Sequence, residues 1–197
     1  MVNLTSLRTA ILILLLLPFS STCSSDNLSD LLGQVETLSI SREGYTLGKK
    51  LTEGQKATAL KHPVKAANPW TFKFRDGDLY VVADKATNRV VILYKRYEAT
   101  TIKQIQALVG SLSLDFGDPT VMAHDKIIYW VFGPEGKLTR EQYKKAKQAD
   151  EKLNILATVK LNSTMKIMGD RARSGESSVY YIISSEPVLK LIKSKWK

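Results

Sequence analysis

Three segments of this chain open with the same Thr-x-x-Gln pattern, which constrains the fold more than any other local feature. The segments begin at Thr52, Thr101 and Thr139. In such a capping box, the threonine oxygen accepts the backbone N–H at the third helical position, and the glutamine side chain returns to the backbone N–H of the cap. The pattern therefore predicts three helix starts. Ser185, with Pro187 two residues later, predicts a fourth near the carboxyl end.

The second of these helices has the clearest apolar face. Its apolar residues recur at helical spacing, at Ile102, Ile105, Leu108, Val109 and Leu112. We expect this helix to lie against a sheet and to share a core with an aromatic pair on a later strand. The residues predicted for this core are Ile105, Leu108, Leu112, Tyr129 and Trp130.

Between the helices the apolar period changes to two, which is typical of strands with one buried face. Six segments are predicted strands: 72–74, 79–81, 90–94, 126–132, 153–161 and 179–183. Turn-forming clusters at 76–78 and 84–88 separate the first three. This order predicts an α+β fold, an antiparallel sheet of about six strands with three to four helices packed mainly on one face.

The first 22 residues have the layout of a secretory signal peptide. A lightly basic start with Arg8 precedes an apolar run at 10–17, and Pro18 and small polar residues follow. The run is shorter than the roughly 20 residues that a membrane-spanning helix needs. The sequence therefore predicts an exported protein, periplasmic or secreted; the alternative is a segment retained as a membrane anchor.

Cys23 is the only cysteine of the chain and directly follows this segment. Its setting resembles the processing site of bacterial lipoproteins, in which the signal is removed just before a cysteine that carries lipid. The sequence departs from that pattern, since Ser20 replaces the usual leucine and Thr22 the usual glycine or alanine. Two alternatives stay open: lipid attachment at Cys23, which anchors the protein to the outer membrane, or ordinary signal cleavage nearby. Both leave a mature domain without disulfides.

The rest of the chain, about 175 residues, has the size of one compact domain. Segment 23–44 begins with a run rich in Ser, Asp and Asn and continues into a weak amphipathic stretch at 28–38; we predict that the segment is a flexible leader. A single α+β domain is predicted for 45–197. Apart from a lipid on Cys23, nothing in this organisation predicts contact with a membrane.

Positive charge is the strongest indication of a partner. The chain has 29 Lys and Arg against 19 Asp and Glu, a net charge of +10. In a cell envelope this favours an acidic envelope protein, anionic lipid or lipopolysaccharide, while nucleic acid does not suit an exported chain. The alternative is that the cations only solvate the surface. The candidate binding residues fall in three clusters: Lys144, Lys145 and Lys147; Arg171 and Arg173; Lys193 and Lys195.

Patterns for catalysis or metal binding are weak. The two histidines, His62 and His124, are far apart in sequence. Asp125 follows His124 in an extended segment, where neighbouring side chains point to opposite faces, so the two are a poor base-and-orienter pair. We therefore predict no catalytic residues, metal or cofactor, and a non-catalytic protein. The alternative is an enzyme whose site is assembled from scattered Asp, Glu, Lys and Tyr residues.

One segment carries a family resemblance. A helix, a leucine-rich turn into Gly117-Asp-Pro-Thr120 and a strand with Tyr129-Trp130 succeed one another over residues 100–132. This order resembles the repeating unit of outer-membrane assembly lipoproteins of the SmpA/OmlA (BamE-like) type and of β-lactamase-inhibitor-like domains. The group consists of scaffolds and inhibitors, so the resemblance implies binding, with a periplasmic immunity or inhibitor protein as one variant. The chain departs from the group by continuing to Lys197.

Overall fold

The computed structural model describes residues 25–167 and 177–195. In these ranges the helices are α1 (Ser25–Thr37), α2 (Glu53–Lys61), α3 (Ile102–Phe116), α4 (Arg140–Gln148) and α5 (Glu186–Ser194). The first six strands are β1 (Ser41–Arg42), β2 (Tyr45–Thr46), β3 (Pro63–Val64), β4 (Thr71–Asp76), β5 (Leu79–Asp84) and β6 (Val90–Thr100). The remaining strands are β7 (Val121–Ala123), β8 (Ile127–Gly133), β9 (Gly136–Lys137), β10 (Ala157–Ser163) and β11 (Ser177–Ser184).

Nine of the described strands form one antiparallel sheet. Its order is β3-β4-β5-β6-β11-β10-β8-β7, with β9 also paired to β8, while β1 and β2 form a separate hairpin. This confirms the predicted α+β class. The sheet has three strands beyond the six predicted, namely β3, β7 and β9. Each of these is only two or three residues long. An alternating pattern cannot be recognised over so few residues.

All three predicted capping boxes are present. The hydroxyl of Thr52 accepts the Gln55 backbone N–H at 3.3 Å, and the Gln55 side-chain oxygen accepts the Thr52 N–H at 2.9 Å. Thr101 and Thr139 start α3 and α4 in the same way. Ser185 caps α5, which has a proline in its first turn as predicted. Four of the five described helices therefore begin where local hydrogen-bonding chemistry predicts.

The hydrophobic core lies between three helices and one face of the sheet. Along β10 and β11, in the middle of the sheet, buried residues alternate with partly exposed ones, so one face is covered. Cross-strand pairing aligns a fully buried row: Phe74, Val81, Leu93, Ile183, Val159 and Trp130. Leu32 of α1, Ile105 of α3 and Ile192 of α5 belong to the same cluster. These three helices therefore pack on that face.

The flexible leader predicted for 23–44 is wrong over its described part. This part contains α1, whose Leu28, Leu32 and Val35 are buried in the core. These residues lie at helical spacing on the weak amphipathic stretch at 28–38, and they form a narrow apolar stripe in a segment of polar composition. Arg89 fixes the helix to the sheet, because its guanidinium donates both to the Glu36 carboxylate at 2.5 Å and to the Gly48 carbonyl at 2.7 Å.

Two of the five residues predicted for the α3 core do not lie where they were predicted. Ile105, Leu112 and Trp130 are fully buried, but Leu108 is only partly buried at the edge of the cluster. Tyr129 lies on the opposite face of the sheet, because successive residues of a strand project to opposite sides. A Tyr-Trp pair within one strand cannot place both rings in the same core.

Candidate functional site

The face of the sheet opposite the core carries tyrosines and cations. Residues directly opposite each other on paired strands project from the same face. Pairing therefore aligns one row across six strands: Arg75, Tyr80, Tyr94, Ile182, Lys160 and Tyr129. Lys73 precedes this row on β4, and Arg96 and Tyr180 form the next pair along β6 and β11. We call these nine residues the open face.

Three cations of the open face lie against tyrosine rings. The Arg96 guanidinium is 5.3 Å from the ring centroid of Tyr180. The Lys160 ammonium is 5.5 Å from that of Tyr129, and the Lys73 ammonium is 5.8 Å from that of Tyr80. Such contacts attract a cation to the negative face of the ring. Each pair therefore presents a positive charge beside a flat apolar surface.

Tyr80 and Tyr94 form the centre of this surface. Their rings stack with centroids 4.6 Å apart and an interplanar angle of 5°. Both side chains are partly exposed, as are Tyr129, Lys160 and Ile182 in the same row. Tyrosine offers a large rigid contact area with a polar hydroxyl at its edge, which makes it effective in binding surfaces.

Acidic groups neutralise only part of this charge. Glu98 lies 2.7 Å from Arg96, and Asp78 lies 3.6 Å from Arg75. Across the described ranges of the chain, Lys73 and Lys160 form no ion pair. These two ammonium groups are therefore available to an anion that approaches the open face.

Two of the predicted binding lysines lie beside the open face. Val121 of β7 pairs with Tyr129, so it projects from the same side of the sheet. It shares a cavity of about 460 Å³ with Lys144 and Lys147 of α4, whereas Lys145 does not line that cavity. The cavity also contains Arg140 and Tyr143. Helix α4 therefore extends the positive surface at this edge of the sheet.

Two further predicted binding lysines, Lys193 and Lys195, are not joined to this surface. Lys193 and Lys195 lie at the end of α5, whose Val188 and Ile192 pack into the core on the opposite face. Arg171 and Arg173 lie outside the described residues, as does Cys23. Alternation in the sequence indicates which tyrosines and cations of one strand share a face, but it does not show which strands are neighbours.

Catalytic geometry is not apparent at either histidine. His124 and Asp125 are the two central residues of the turn between β7 and β8, with φ values of 53° and 55°, and the Lys126 N–H donates to the Ala123 carbonyl across it. Both side chains are exposed, and so is His62 at the end of α2. Among residues 25–167 and 177–195, no group of three His, Cys, Asp or Glu could hold a metal ion.

Two tyrosines have clearly shifted pKa values, and both lie in the core. Burial raises the pKa of Tyr45, and the Asp76 carboxylate, which accepts a hydrogen bond from the Tyr45 hydroxyl at 2.8 Å, raises that pKa further. Burial also raises the pKa of Tyr181, while the Arg42 guanidinium, 5.7 Å from its ring centroid, opposes the rise. Both hydroxyls stay protonated well above neutral pH, which does not suit a general base.

The helices of the described part of the chain are 9 to 15 residues long, and none has the length and apolar character to cross a membrane.

Comparison with protein-family models, with curated proteins and with solved structures finds no match to this chain.

Proposed function

We propose that this chain is an exported, non-catalytic bacterial cell-envelope protein whose open face binds an anionic, sugar-bearing envelope component of the lipopolysaccharide type. The observation that carries the proposal is the row of half-exposed tyrosines interleaved with cations. The net charge of +10 favours the same class of partner, because a basic surface concentrates anions near it.

The chemistry of the open face fits sugar phosphates. A tyrosine ring offers a flat apolar surface for the apolar side of a sugar ring, and the adjacent ammonium or guanidinium donates hydrogen bonds to the phosphate. Lys160 beside Tyr129 and Arg96 beside Tyr180 repeat this combination on neighbouring strands. This repeated pairing of an apolar ring with a cation favours an anionic glycan over the immunity-protein alternative.

Export and lipid attachment are part of the same proposal. The layout of residues 1–22 and the position of Cys23 support them. Helix α1 begins at Ser25, so a lipid on Cys23 holds the folded domain close to the membrane rather than on a long tether. Intact-mass analysis of the protein from the membrane fraction tests the anchor. A mature chain that starts beyond Cys23, or an unmodified Cys23, contradicts it.

The binding test compares charge reversals on the two faces of the sheet. The ligand is deacylated lipopolysaccharide, which retains sugars and phosphates without acyl chains, and affinity is measured by titration calorimetry. We expect Lys160→Glu to weaken binding at least tenfold. Lys193→Glu makes the same change in charge on the opposite side and should leave affinity within about twofold of the parent. Raising the salt concentration should weaken binding of the parent protein.

Three outcomes contradict the proposal. One is the absence of saturable binding to the phosphorylated oligosaccharide. Another is an equal loss of affinity in Lys160→Glu and Lys193→Glu, which would mean that net charge alone determines binding. The third is tight binding of an acidic envelope protein at the open face without oligosaccharide binding, which makes the partner a protein.

A further inference from the structure

A groove of about 740 Å³ lies between α2 and the β3–β4 side of the sheet. Its floor and walls are mostly apolar, with contributions from Ala59, Leu60, Val64, Ala66, Pro69 and Phe72. This volume falls in the range of small-molecule sites, about 300–1,000 Å³. The groove is concave and apolar, whereas the open face is a sheet surface of tyrosines and cations.

The groove leaves apolar surface uncovered. Helices of soluble proteins usually bury an apolar stripe, yet none of the residues of α2 is buried. Leu60 is 84% exposed where it lines the groove, and Trp70, next to the groove residue Pro69, is 46% exposed. In the described part of the chain, Leu114 on α3 is the other large apolar side chain with such exposure. Concentration of exposed apolar surface at one place indicates a binding site.

Charge around the groove selects the ligand class. Lys56, Lys73 and Lys85 line it, and no Asp or Glu is among its lining residues. Lys56 is paired with Glu53 at 2.8 Å, and Lys73 lies over the Tyr80 ring. Neither Lys73 nor Lys85 forms an ion pair within the described ranges, and Lys85 has no cation–π contact there either, so its ammonium is available to an anion that enters the groove. The groove therefore combines an apolar floor with a free positive group.

We infer that this groove binds the acyl chain of a single-chain amphiphile with an anionic head group, the chemistry of a fatty acid. The alkyl chain lies along Leu60, Val64 and Phe72 and covers the apolar surface that α2 leaves exposed. The carboxylate pairs with Lys85. This site is separate from the open face apart from the shared Lys73, so it does not rest on the proposed glycan binding.

Titration calorimetry with decanoate, below the concentration at which it forms micelles, tests the inference on the purified protein. We expect saturable binding of one decanoate per chain. Butyrate has the same head group with a short chain and should not bind measurably. Decanol has the same chain without the charge and should bind at least several-fold more weakly.

Matched variants locate the site. Leu60→Asp and Lys85→Glu should each weaken decanoate binding at least tenfold. Leu114→Asp is the control for the first, because Leu114 is 90% exposed and lies on another helix. Lys103→Glu, at an exposed position of α3, is the control for the second. Both controls should bind decanoate like the parent, and so should Lys160→Glu on the open face.

Absence of saturable decanoate binding overturns the inference, and so does an equal effect of Leu60→Asp and Leu114→Asp. Binding to phosphatidylglycerol vesicles without binding of free decanoate also overturns it, in favour of contact with a flat membrane surface. If decanoate binds while deacylated lipopolysaccharide does not, the inference about the groove is supported and the open-face proposal fails.

Discussion

The indole nitrogen of Trp130 donates a hydrogen bond to the carbonyl oxygen of Gly117 at 2.7 Å. Gly117 ends α3 with a φ of 70°, a conformation that favours glycine, and Trp130 is fully buried in β8. The bond ties the end of the helix to the sheet. The Gly-x-Pro-Thr and Tyr-Trp elements of the envelope-lipoprotein resemblance therefore meet in space, with a structural role for the glycine and the tryptophan.

The neighbours Trp130 and Tyr129 should respond very differently to truncation. Trp130→Ala removes a fully buried ring and should lower the free energy of unfolding by about 3–5 kcal/mol. Tyr129→Ala removes a half-exposed ring from the open face and should cost about 1 kcal/mol. Urea denaturation of both variants measures the difference. Equal losses contradict the assignment of the two rings to opposite faces of the sheet.

The contact between α1 and the loop after β2 depends on Gly48. A Cβ atom at Gly48 would lie 2.6 Å from the Leu32 carbonyl oxygen and 2.7 Å from the Glu36 nitrogen. We expect Gly48→Ala to cost more than about 3 kcal/mol, because α1 has to move away. Gly44 has a similar φ of +84° but no atom within 4 Å, so Gly44→Ala should cost only about 1–2 kcal/mol. If the two variants have similar melting temperatures, α1 does not pack closely against Gly48.

The buried hydroxyls of Tyr45 and Tyr181 form a second contrast. Tyr45 donates to Asp76, but Tyr181 has no hydrogen-bond partner for its buried hydroxyl within the described residues. Tyr45→Phe should therefore lower the free energy of unfolding by about 1–2 kcal/mol, whereas Tyr181→Phe should leave it unchanged or raise it. Chemical denaturation at neutral pH provides the values. A loss in Tyr181→Phe as large as that in Tyr45→Phe reveals an acceptor that the structure lacks.

Alkaline pH should destabilise the fold through the same two residues. Their pKa values are raised in the folded state, so an unfolded chain releases these protons first, from about pH 10 upward. Their contribution to stability is complete below pH 10 and falls as the pH rises above it. Urea midpoints measured between pH 8 and 11.5 should decline less steeply in the Tyr45→Phe/Tyr181→Phe double variant. If the urea midpoint declines with pH as steeply in the double variant as in the parent, other groups cause the loss of stability at alkaline pH.

Helix starts were predictable because their chemistry is local. A capping box is contained in four residues, and Thr52, Thr101 and Thr139 each form one. Helix α1 was not predicted as part of the domain, because Leu28, Leu32 and Val35 form only a weak amphipathic stretch within a polar segment. Composition suggested a flexible leader, but docking against the sheet determined the conformation.

The open face could not be predicted, because it depends on strand order. Alternation shows which residues of one strand share a face, but not which strands are neighbours. Strand β11 lies between β6 and β10, and this arrangement brings Arg96 beside Tyr180. These two residues are far apart in sequence. Clusters of lysines, by contrast, are visible along the sequence, but the cluster with Lys193 and Lys195 lies on the other side of the fold.

Binding of an anionic glycan at the open face is tested most directly at the tyrosine rings. The chain contains eight tyrosines, of which Tyr80, Tyr94, Tyr129 and Tyr180 lie on the open face, while Tyr45 and Tyr181 lie in the core. With ¹³C-labelled tyrosine, titration with deacylated lipopolysaccharide should shift the ring signals of the four open-face residues and leave those of Tyr45 and Tyr181 in place. Saturable binding without shifts at the four open-face rings contradicts the account.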